Sequence, residues 1–259
     1  MRSLLGKLRD YLAGLAAIRS KWKGFPFSQY AEDAVINCSL MPKKKGFFVD
    51  VGAYHPWQGS NSYRFYLTGW DGITIEPNPD AARAFQCVRP RGKHLVMGVS
   101  SRPERLTYYS FDDDKLNSFD KSQAERTGAQ IISEQVIDCL PLRDIIAQHA
   151  PGQHIDLLSV DCEGLDLDVL ESLDWEKTRP SVVVVEDFDQ FCTAQTGGSS
   201  SIRNFLQAQG YAIFAQTAFS FHYIDTRAIG HETASAGFDF SRTQFYALRD
   251  RRGEAPQAS

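Results

Sequence analysis

The stretch Gly46-Phe47-Phe48-Val49-Asp50-Val51-Gly52-Ala53 decides the fold of this chain. Its apolar run predicts a buried strand that ends at an acid, and the glycine after it marks a tight turn. A continuous apolar run is typical of a parallel strand that is covered on both faces. Because ligands of parallel sheets bind beyond the carboxyl ends of the strands, Asp50 is a candidate site residue.

Three later stretches repeat this pattern of an apolar run that stops at a carboxylate. They cover residues 72–79, 155–164 and 181–187. Parallel strands present their carboxyl ends at one edge of a sheet, so the side chains that follow them should lie close together. The sequence therefore predicts an active site on an acidic edge formed by Asp50, Glu76, Asp161, Glu163, Glu186 and Asp187.

The composition of the whole chain excludes several classes of protein. Its 259 residues are 42% apolar, which is enough for one sizeable core, and its net charge of −4 gives no nucleic-acid footprint. Five cysteines without a CxxC pair indicate neither a disulfide framework nor a zinc site. No uninterrupted apolar run approaches the length of a membrane span. We therefore expect a cytoplasmic protein with no nucleic-acid partner.

The first 24 residues form a segment of their own in this prediction. Apolar residues recur at helical spacing from Leu4 to Trp22, and six basic residues against one acid occupy the rest. The pattern suits a helix that lies on its own domain, or one that contacts an anionic membrane surface weakly. We expect this helix (1–24), one domain (25–249) and a polar tail (250–259).

Strands and helices alternate along the predicted domain, which indicates an α/β fold with a mainly parallel sheet. Beyond the acidic strands, apolar patterns predict further strands over 95–100, 106–111, 211–215 and 219–224. Helices are predicted over 63–67, 81–88, 142–149, 165–173 and 202–209, and the polar stretch 112–126 is predicted to be a loop.

The turn after the first strand does not suit a phosphate. Gly52 and Gly59 are separated by bulky residues, whereas a pyrophosphate site needs several close glycines at a helix start. The acids favour a cationic ligand instead, and S-adenosylmethionine has a sulfonium, an ammonium and a ribose diol but no phosphate. Asp50 can order its methionine end, and Glu76 can accept both ribose hydroxyls, as acids do in NAD sites. Strand-end acids are also common helix caps, which is the structural alternative.

Several motifs, taken in order, resemble the FkbM-type methyltransferases. They are FSQYAED (27–33), VDVGAYHP (49–56), SNS (60–62), GWDGITIEPNP (69–79) and DCEGLDLDVL (161–170). The resemblance implies a Rossmann-like methyltransferase fold, with helices on both faces of a mostly parallel seven-stranded sheet. It also implies S-adenosylmethionine and O-methyl transfer, often to sugars or other secondary metabolites, so the expected partner is a small-molecule or glycan acceptor.

The residues expected to bind the cofactor lie in these motifs and at the end of the strand over 95–100. Ser28 can cap a helix that begins near Glu32; alternatively, Gln29, Tyr30 and Glu32 close over the cofactor. The predicted cofactor-binding residues are Gln29, Tyr30, Asp50, Gly52, Ala53, Glu76, Pro77, Asn78, Val99, Ser100 and Asp161.

The acceptor hydroxyl needs a general base or a metal ion, because a sugar hydroxyl is a weak nucleophile near neutral pH. Asp161 and Glu163 should share one face by strand alternation, and Gly164 allows a turn that aims both into one pocket. With Glu186 or Asp187 they can hold Mg²⁺, which prefers oxygen ligands. In the alternative, Glu163 caps the next helix and Asp161 orders the amino group of the cofactor.

His55 and Cys162 lie next to the predicted acidic strand ends. His55 is the other candidate base, since it lies in the turn after the first acidic strand. Cys162 should be a poor thiolate and a small buried residue, because the acids beside it raise the pKa of its thiol. The alternative to an enzyme is a non-catalytic or sugar-nucleotide-binding module of the same fold.

Overall fold

The computed structural model describes residues 26–40, 43–194 and 198–229. The predicted N-terminal helix (1–24) and the polar tail (250–259) lie outside the described residues, and most of the predicted central domain lies within them. Within the described ranges, no helix is both long enough and apolar enough to cross a membrane.

The described chain alternates between strands and helices, as the sequence predicts. Short 3-10 helices lie at Pro79–Ala81 and Asp114–Leu116. The other elements are α1 (Glu32–Ser39), β1 (Phe47–Val51), α2 (Tyr63–Leu67), β2 (Asp71–Ile75), α3 (Ala82–Val88), β3 (Lys93–Leu95), β4 (Gly98–Val99), β5 (Glu104–Phe111), α4 (Gln123–Thr127), β6 (Ile131–Leu140), α5 (Leu142–His149), β7 (Leu157–Val160), α6 (Asp166–Glu171), β8 (Val182–Glu186), α7 (Phe188–Ala194), α8 (Ser201–Ala208), β9 (Tyr211–Gln216), β10 (Ser220–Asp225) and α9 (Thr226–Ile229).

Seven strands form one sheet in the order β3-β2-β1-β7-β8-β10-β9. β1 pairs in parallel with β2 and β7, and β7 pairs in parallel with β8. β10 runs antiparallel to both β8 and β9. The predicted α/β fold with a mostly parallel seven-stranded sheet is confirmed. The strand order reverses between β1 and β7, which is the ligand-binding position of Rossmann-like sheets.

Helices cover both faces of this sheet, and each face has its own apolar cluster. Neighbouring residues of a strand point to opposite faces, so Phe48 packs in one cluster and Val49 in the other. The cluster of Phe48 includes residues of α1, α2 and α3, and that of Val49 includes residues of α5, α6 and α8. Apart from positions at the cavity such as Asp50 and Glu186, nearly all residues of β1, β7 and β8 are buried, which explains their nearly continuous apolar sequences.

The remaining strands, β4, β5 and β6, form a separate three-stranded sheet. The prediction of one strand over 95–100 is wrong: β3 ends at Leu95 in the large sheet, and β4 begins at Gly98 in the small one. The apolar pattern gives no prediction for β6, because most of its residues before Ile137 are exposed or half-buried and several are polar. Exposed strands that mix polar and apolar residues in this way carry little hydrophobic signal.

Helix bounds follow the predictions where a clear apolar stripe exists. α5 has the predicted bounds, Leu142–His149, and α8 differs from the prediction by one residue at each end. The sequence analysis gives no prediction for α7, which begins directly after the last acidic strand. The predicted loop over 112–126 includes a 3-10 helix at Asp114–Leu116 and the start of α4.

Candidate active site

The carboxyl ends of β2, β1, β7 and β8 are neighbours in the sheet, as the acidic pattern predicts. They open into a cavity of about 530 Å³. The loop that precedes α1, the turn after β1 and the segment 114–119 form other parts of its wall. Of the predicted residues, those that line the cavity are Gln29, Tyr30, Asp50, Gly52, Ala53, Glu76, Pro77, Val99, Asp161, Glu163 and Glu186.

Gly52 is the point of closest approach between the turns after β1 and β7. The N–H of Asp161 donates to the carbonyl of Val51 at 3.0 Å, which draws the two chain segments together. A Cβ at Gly52 would lie 1.7 Å from the carbonyl oxygen of Asp161, and the φ of Gly52 is +75°. Only glycine satisfies both conditions, so this residue lets the two acidic turns meet.

The first two backbone N–H groups of the turn after β1 are not available to bind a phosphate. The N–H groups of Gly52 and Ala53 both donate to the carbonyl of Ile75, at 3.0 and 3.1 Å. Backbone donors that are used within the protein are not available to a pyrophosphate. The geometry therefore agrees with the expectation of a ligand without phosphate groups at this turn.

Glu76 follows β2 and is 5% exposed. Its carboxylate accepts hydrogen bonds from the N–H of Tyr54 at 2.8 Å and the N–H of Asn78 at 2.9 Å. The hydroxyl of Tyr108 donates to it at 3.4 Å. Burial raises the pKa of Glu76, and these donors oppose the shift. The carboxylate is held firmly and keeps lone pairs for a ligand.

Asp50 lies within β1 and is linked to a buried arginine. The Ser62 hydroxyl donates to the Asp50 carboxylate, and Arg89 donates to Ser62 Oγ at 2.8 Å and to Ser60 Oγ at 2.7 Å. Arg89 is 2% exposed and also donates to the carbonyl of Pro56 at 2.6 Å. Burial raises the pKa of Asp50, while the Arg89 charge and the hydroxyl donors lower it. Arg89 was not predicted as part of the site.

Asp161, Glu163 and Glu186 form a cluster, called here the acid cluster. Each offers a carboxylate oxygen, and the three oxygens lie within 4.8 Å of one another. Partial loss of hydration inside the cavity and repulsion from neighbouring carboxylates raise the pKa of Asp161 well above its ordinary value, and its side chain is exposed to the solvent in the cavity. Burial, with repulsion from nearby acids, raises the pKa of Glu163 to about 7 and the pKa of Glu186 to about 8. These groups can accept protons near neutral pH.

The turn after β7 brings Asp161 and Glu163 together, and this differs from the expected strand alternation. β7 ends at Val160, so both acids lie beyond the strand. Glu163 has φ +51° and Gly164 has φ +98°. A left-handed conformation at a residue other than glycine is costly and is often found at functional sites.

Glu163 does not cap the following helix, which was the structural alternative for this residue. No side chain caps this helix; Asp166, its first residue, instead fixes the turn before it by accepting hydrogen bonds from the N–H of Cys162 at 2.9 Å and of Gly164 at 3.1 Å. Cys162 is half-buried, and burial with the charges of Asp166 and Asp161 raises the pKa of its thiol. The expectation of a poor thiolate is confirmed.

The raised pKa values predict a specific dependence of stability on pH. In the unfolded chain, Glu163 and Glu186 should lose their protons near the ordinary value of 4.5, whereas the folded protein keeps them to about pH 7 and about pH 8. The folded state binds more protons between these values, so the free energy of unfolding should fall as pH rises from 5 to about 8.

Thermal unfolding midpoints between pH 5 and 8.5 measure this dependence. We expect a flatter profile in the double variant Glu163→Gln/Glu186→Gln, because amides do not titrate. Asp138→Asn, an exposed carboxylate of β6, serves as the control. An unchanged slope in the double variant would show that the acid cluster ionises normally.

The segment before α1 forms one wall of the cavity. Asp33 is completely buried and accepts hydrogen bonds from the Phe27 N–H at 3.0 Å, the Ser28 hydroxyl at 2.9 Å and Arg64 Nε at 2.8 Å. Ser28 Oγ accepts in return from the Asp33 N–H at 3.1 Å, but the N-cap residue of α1 is Ala31 and not Ser28 as predicted. The segment both starts the helix and places Gln29 against the cavity. Gln29 and Tyr30 line the cavity whereas Glu32 does not, so the closure of these residues over the cofactor stays a prediction.

Four predicted residues lie away from the cavity wall. His55 Nδ1 accepts from the N–H of Gln58 at 3.1 Å, and the Ser100 hydroxyl donates to the carbonyl of Arg102 at 2.7 Å. The side chain of Asn78 caps the 3-10 helix that follows it. These contacts organise turns next to the site, and the proposed base role of His55 stays a prediction.

Asp187 is the fourth of these residues. Its carboxylate accepts from the Ser200 hydroxyl, and from the Gln190 N–H at 2.9 Å. Neighbouring residues at a strand end point in opposite directions, so Glu186 joins the acid cluster while Asp187 anchors α7 and α8. Of the two alternatives for a third metal ligand, the structure places only Glu186 with Asp161 and Glu163.

The comparison with known families agrees with this geometry. Residues 50–213 match the methyltransferase FkbM domain, which is more than half of the chain. The chain belongs to this family. The FkbM match begins at Asp50 and includes Glu76 and all three residues of the acid cluster. It also includes Arg89, whose hydrophilic side chain gave no sequence signal because arginine is usually exposed.

No curated protein matches this FkbM methyltransferase. Solved structures resemble it only broadly. Cofactor-bound Rv0187 from MTB has 11% sequence identity and a TM-score of 0.44, covering 86% of this chain and 92% of that one. An O-methyltransferase from Bacillus cereus, in complex with SAH, has 10% identity and a TM-score of 0.38, with 84% and 89% covered. A precorrin-6y C5,15-methyltransferase from Geobacter metallireducens has 10% identity and a TM-score of 0.37, with 74% and 85% covered. The family assignment rests on the domain match alone.

Proposed function

We propose that this chain transfers a methyl group from S-adenosylmethionine to a hydroxyl oxygen of a sugar, a glycan or another secondary metabolite. One observation carries the proposal: five carboxylates from four neighbouring strand ends converge on one cavity. All five lie within the FkbM match. They are Asp50, Glu76, Asp161, Glu163 and Glu186.

The charge of the cavity supports S-adenosylmethionine as the donor. Six carboxylates and one lysine line it in the described part of the chain, and the sixth carboxylate is Asp114 beside Lys115. Such a lining favours a ligand with a net positive charge and disfavours phosphates. The first two amides of the turn after β1 are used within the protein, which also favours a ligand without a pyrophosphate.

Glu76 and Asp50 are suited to the two ends of such a donor. Glu76 accepts two backbone hydrogen bonds and retains lone pairs that can accept from ribose hydroxyls. Asp50 lines the cavity and can accept from an ammonium group, although the charge of Arg89 partly offsets its own.

The acid cluster is suited to the acceptor. When bound, S-adenosylmethionine would supply a methyl group on a positively charged sulfur, and the carbon–sulfur bond would break, releasing a neutral thioether, as the bond from the acceptor oxygen to the methyl carbon forms. Glu163 or Glu186 takes the proton that the hydroxyl loses, since pKa values of about 7 and about 8 make them stronger bases than ordinary carboxylates. Asp161 can orient the acceptor by accepting a hydrogen bond from a second hydroxyl of the same molecule.

A divalent cation is an alternative use of the same cluster. Mg²⁺ prefers oxygen ligands, and Asp161, Glu163 and Glu186 offer three carboxylate oxygens close together. A bound cation would lower the pKa of the acceptor hydroxyl and so replace the general base. The two alternatives differ in their response to chelation.

Removal of the Glu76 carboxylate should weaken cofactor binding. We expect Glu76→Ala to lose charge-assisted hydrogen bonds to the ribose, at a cost of about 2 kcal/mol of affinity for S-adenosylhomocysteine or about 30-fold in Kd. Isothermal titration calorimetry with the full chain measures this loss. Circular dichroism must first show that the variant folds, because Glu76 also holds the turn at Tyr54.

The matched control is Glu104→Ala, which removes a carboxylate from β5 in the small sheet without touching the cavity. Its affinity should equal that of the parent chain. Equal affinity in Glu76→Ala as well would contradict the assignment of the ribose to Glu76.

A further inference from the structure

Three aromatic side chains lie together at the mouth of the cavity, and one of them, Tyr30, is predicted from the sequence to bind the cofactor. Tyr30 is 42% exposed and Phe188 is 51% exposed, and both line the cavity with the half-buried Phe219. The ring centroid of Phe219 lies 5.6 Å from that of Tyr30 and 4.8 Å from that of Phe188. Exposed aromatic groups at a cavity often mark a binding surface.

These rings are exposed, but buried contacts fix the backbone that carries them. Glu32 is 2% exposed and accepts from the Tyr30 N–H and from the Thr217 hydroxyl, both at 2.8 Å. The N–H of Asp187 donates to the carbonyl of Phe219 at 3.0 Å. The start of α1, the end of β8 and the β9–β10 turn are therefore tied together. A surface fixed in this way can bind a ring with little loss of entropy.

The aromatic mouth adjoins the acid cluster. Phe188 follows Glu186 by two residues, and Glu186 has a carboxylate oxygen within 4.8 Å of those of Asp161 and Glu163. A ring that stacked on the aromatic groups would place its hydroxyls next to strong hydrogen-bond acceptors. Sugars offer this combination, because their C–H faces pack on aromatic rings and their hydroxyls lie around the edge.

The charge of the cavity selects among hydroxylated rings. Its described lining holds six carboxylates against Lys115. An anionic ring, such as a uronate or a phosphorylated sugar, would be repelled by the carboxylates that are ionised and would find one lysine to pair with in the described lining. Nucleic acid is disfavoured for the same reason, although its bases could stack on aromatic side chains.

We propose that Tyr30, Phe188 and Phe219 form the acceptor platform, and that this platform takes one face of a neutral sugar ring while it rejects anionic sugars. This inference rests on the proposed function, since it assigns the acceptor side of the same cavity. The platform selects and orients the sugar ring, and the acid cluster accepts the proton that the hydroxyl of this ring loses.

Saturation-transfer NMR on the full chain, with S-adenosylhomocysteine present, tests the platform. The probes are the methyl glycosides of glucose, galactose, mannose and rhamnose, with glucuronate and glucose 6-phosphate as anionic counterparts. We expect at least one neutral glycoside to receive saturation and neither anionic sugar to do so. The double variant Phe188→Leu/Phe219→Leu should reduce the signal by about 3- to 10-fold, because leucine keeps apolar bulk but removes the ring face.

The control is Ile132→Ala, which shortens a side chain that is 65% exposed on β6 and leaves the cavity lining unchanged. The platform is contradicted if no neutral glycoside receives saturation, if anionic sugars bind equally well, or if the leucine variant binds as the parent does. Calorimetry with S-adenosylhomocysteine on the same samples separates the two proposals. Intact cofactor binding without glycoside binding overturns the platform alone, and absent cofactor binding overturns the proposed function.

Discussion

Replacement of Glu163 by glutamine is expected to lower turnover by roughly 10²- to 10⁴-fold, the usual contribution of a general base. Glu163 lines the cavity, and its raised pKa of about 7 suits proton transfer near neutral pH. Glutamine keeps the shape of the side chain but cannot take a proton. Because the group acts on the acceptor, the affinity for S-adenosylhomocysteine should change little. Initial rates with a verified acceptor measure the effect.

Asp161→Asn should also lower turnover strongly, and it extends the same prediction. Its carboxylate can also reach the ammonium of the cofactor, so cofactor affinity should fall in this variant but not in Glu163→Gln. Asp138→Asn removes a carboxylate that is far more exposed and does not line the cavity, and it should be fully active. Full activity of both cluster variants would remove them from the mechanism and leave positioning as the catalytic device.

Chelation separates the two uses of the acid cluster. If Mg²⁺ takes part, EDTA should abolish activity of the parent chain, and added Mg²⁺ should restore it. Unchanged activity in EDTA would leave the general base, and His55→Ala would then test the other candidate. His55 lies in the turn after β1 but does not line the cavity, so we expect this variant to retain most of its activity.

Replacement of Gly52 by alanine should be the most damaging change to the framework of the site. The added Cβ would lie 1.7 Å from the carbonyl oxygen of Asp161, and alanine would also have to adopt a φ of +75°. The left-handed conformation costs about 1–2 kcal/mol, and the forced displacement of a packed turn costs about 1–3 kcal/mol more. We expect a loss of about 3 kcal/mol in the free energy of unfolding, measured by urea denaturation, and the loss of cofactor binding.

Gly152→Ala is the matched control for this prediction. Gly152 has a φ of +70°, but a Cβ there would meet nothing within 4 Å. The free energy of unfolding of Gly152→Ala should therefore fall only by the cost of the left-handed backbone conformation, about 1–2 kcal/mol, and the variant should retain cofactor binding. If the free energy of unfolding fell equally in the two variants, the turn after β7 would be able to shift away from the added Cβ at little cost. Gly52 would then not define the distance between the acidic turns.

The sequence predicts the large sheet and its acidic edge because both depend on a strong local signal. Each central strand is apolar along its length and stops at a carboxylate, and the Rossmann-like strand order then brings those ends together. This is why Asp50, Glu76, Asp161, Glu163 and Glu186 all reach the cavity. The small sheet lacks such a signal, since β6 mixes polar and apolar residues and its first six positions are exposed or half-buried.

Contacts between distant residues account for what the sequence does not predict. Nothing near Arg89 indicates that it is buried, because its partners Ser60 and Ser62 lie in another turn. Asp187 and Glu186 look equivalent in sequence, and only the direction of each side chain separates them. The aromatic platform joins three segments that are far apart along the chain, so composition alone cannot reveal it.

The most direct test of the central claim is a calorimetric titration of the full chain with S-adenosylhomocysteine and, separately, with NADH. The two ligands share a ribose that Glu76 could hold, but only NADH carries a pyrophosphate. We predict that S-adenosylhomocysteine binds at one site per chain and that NADH binds far more weakly, because the lining is acidic and the amides of the first turn are already bonded to Ile75. Tighter binding of NADH than of S-adenosylhomocysteine would contradict the account.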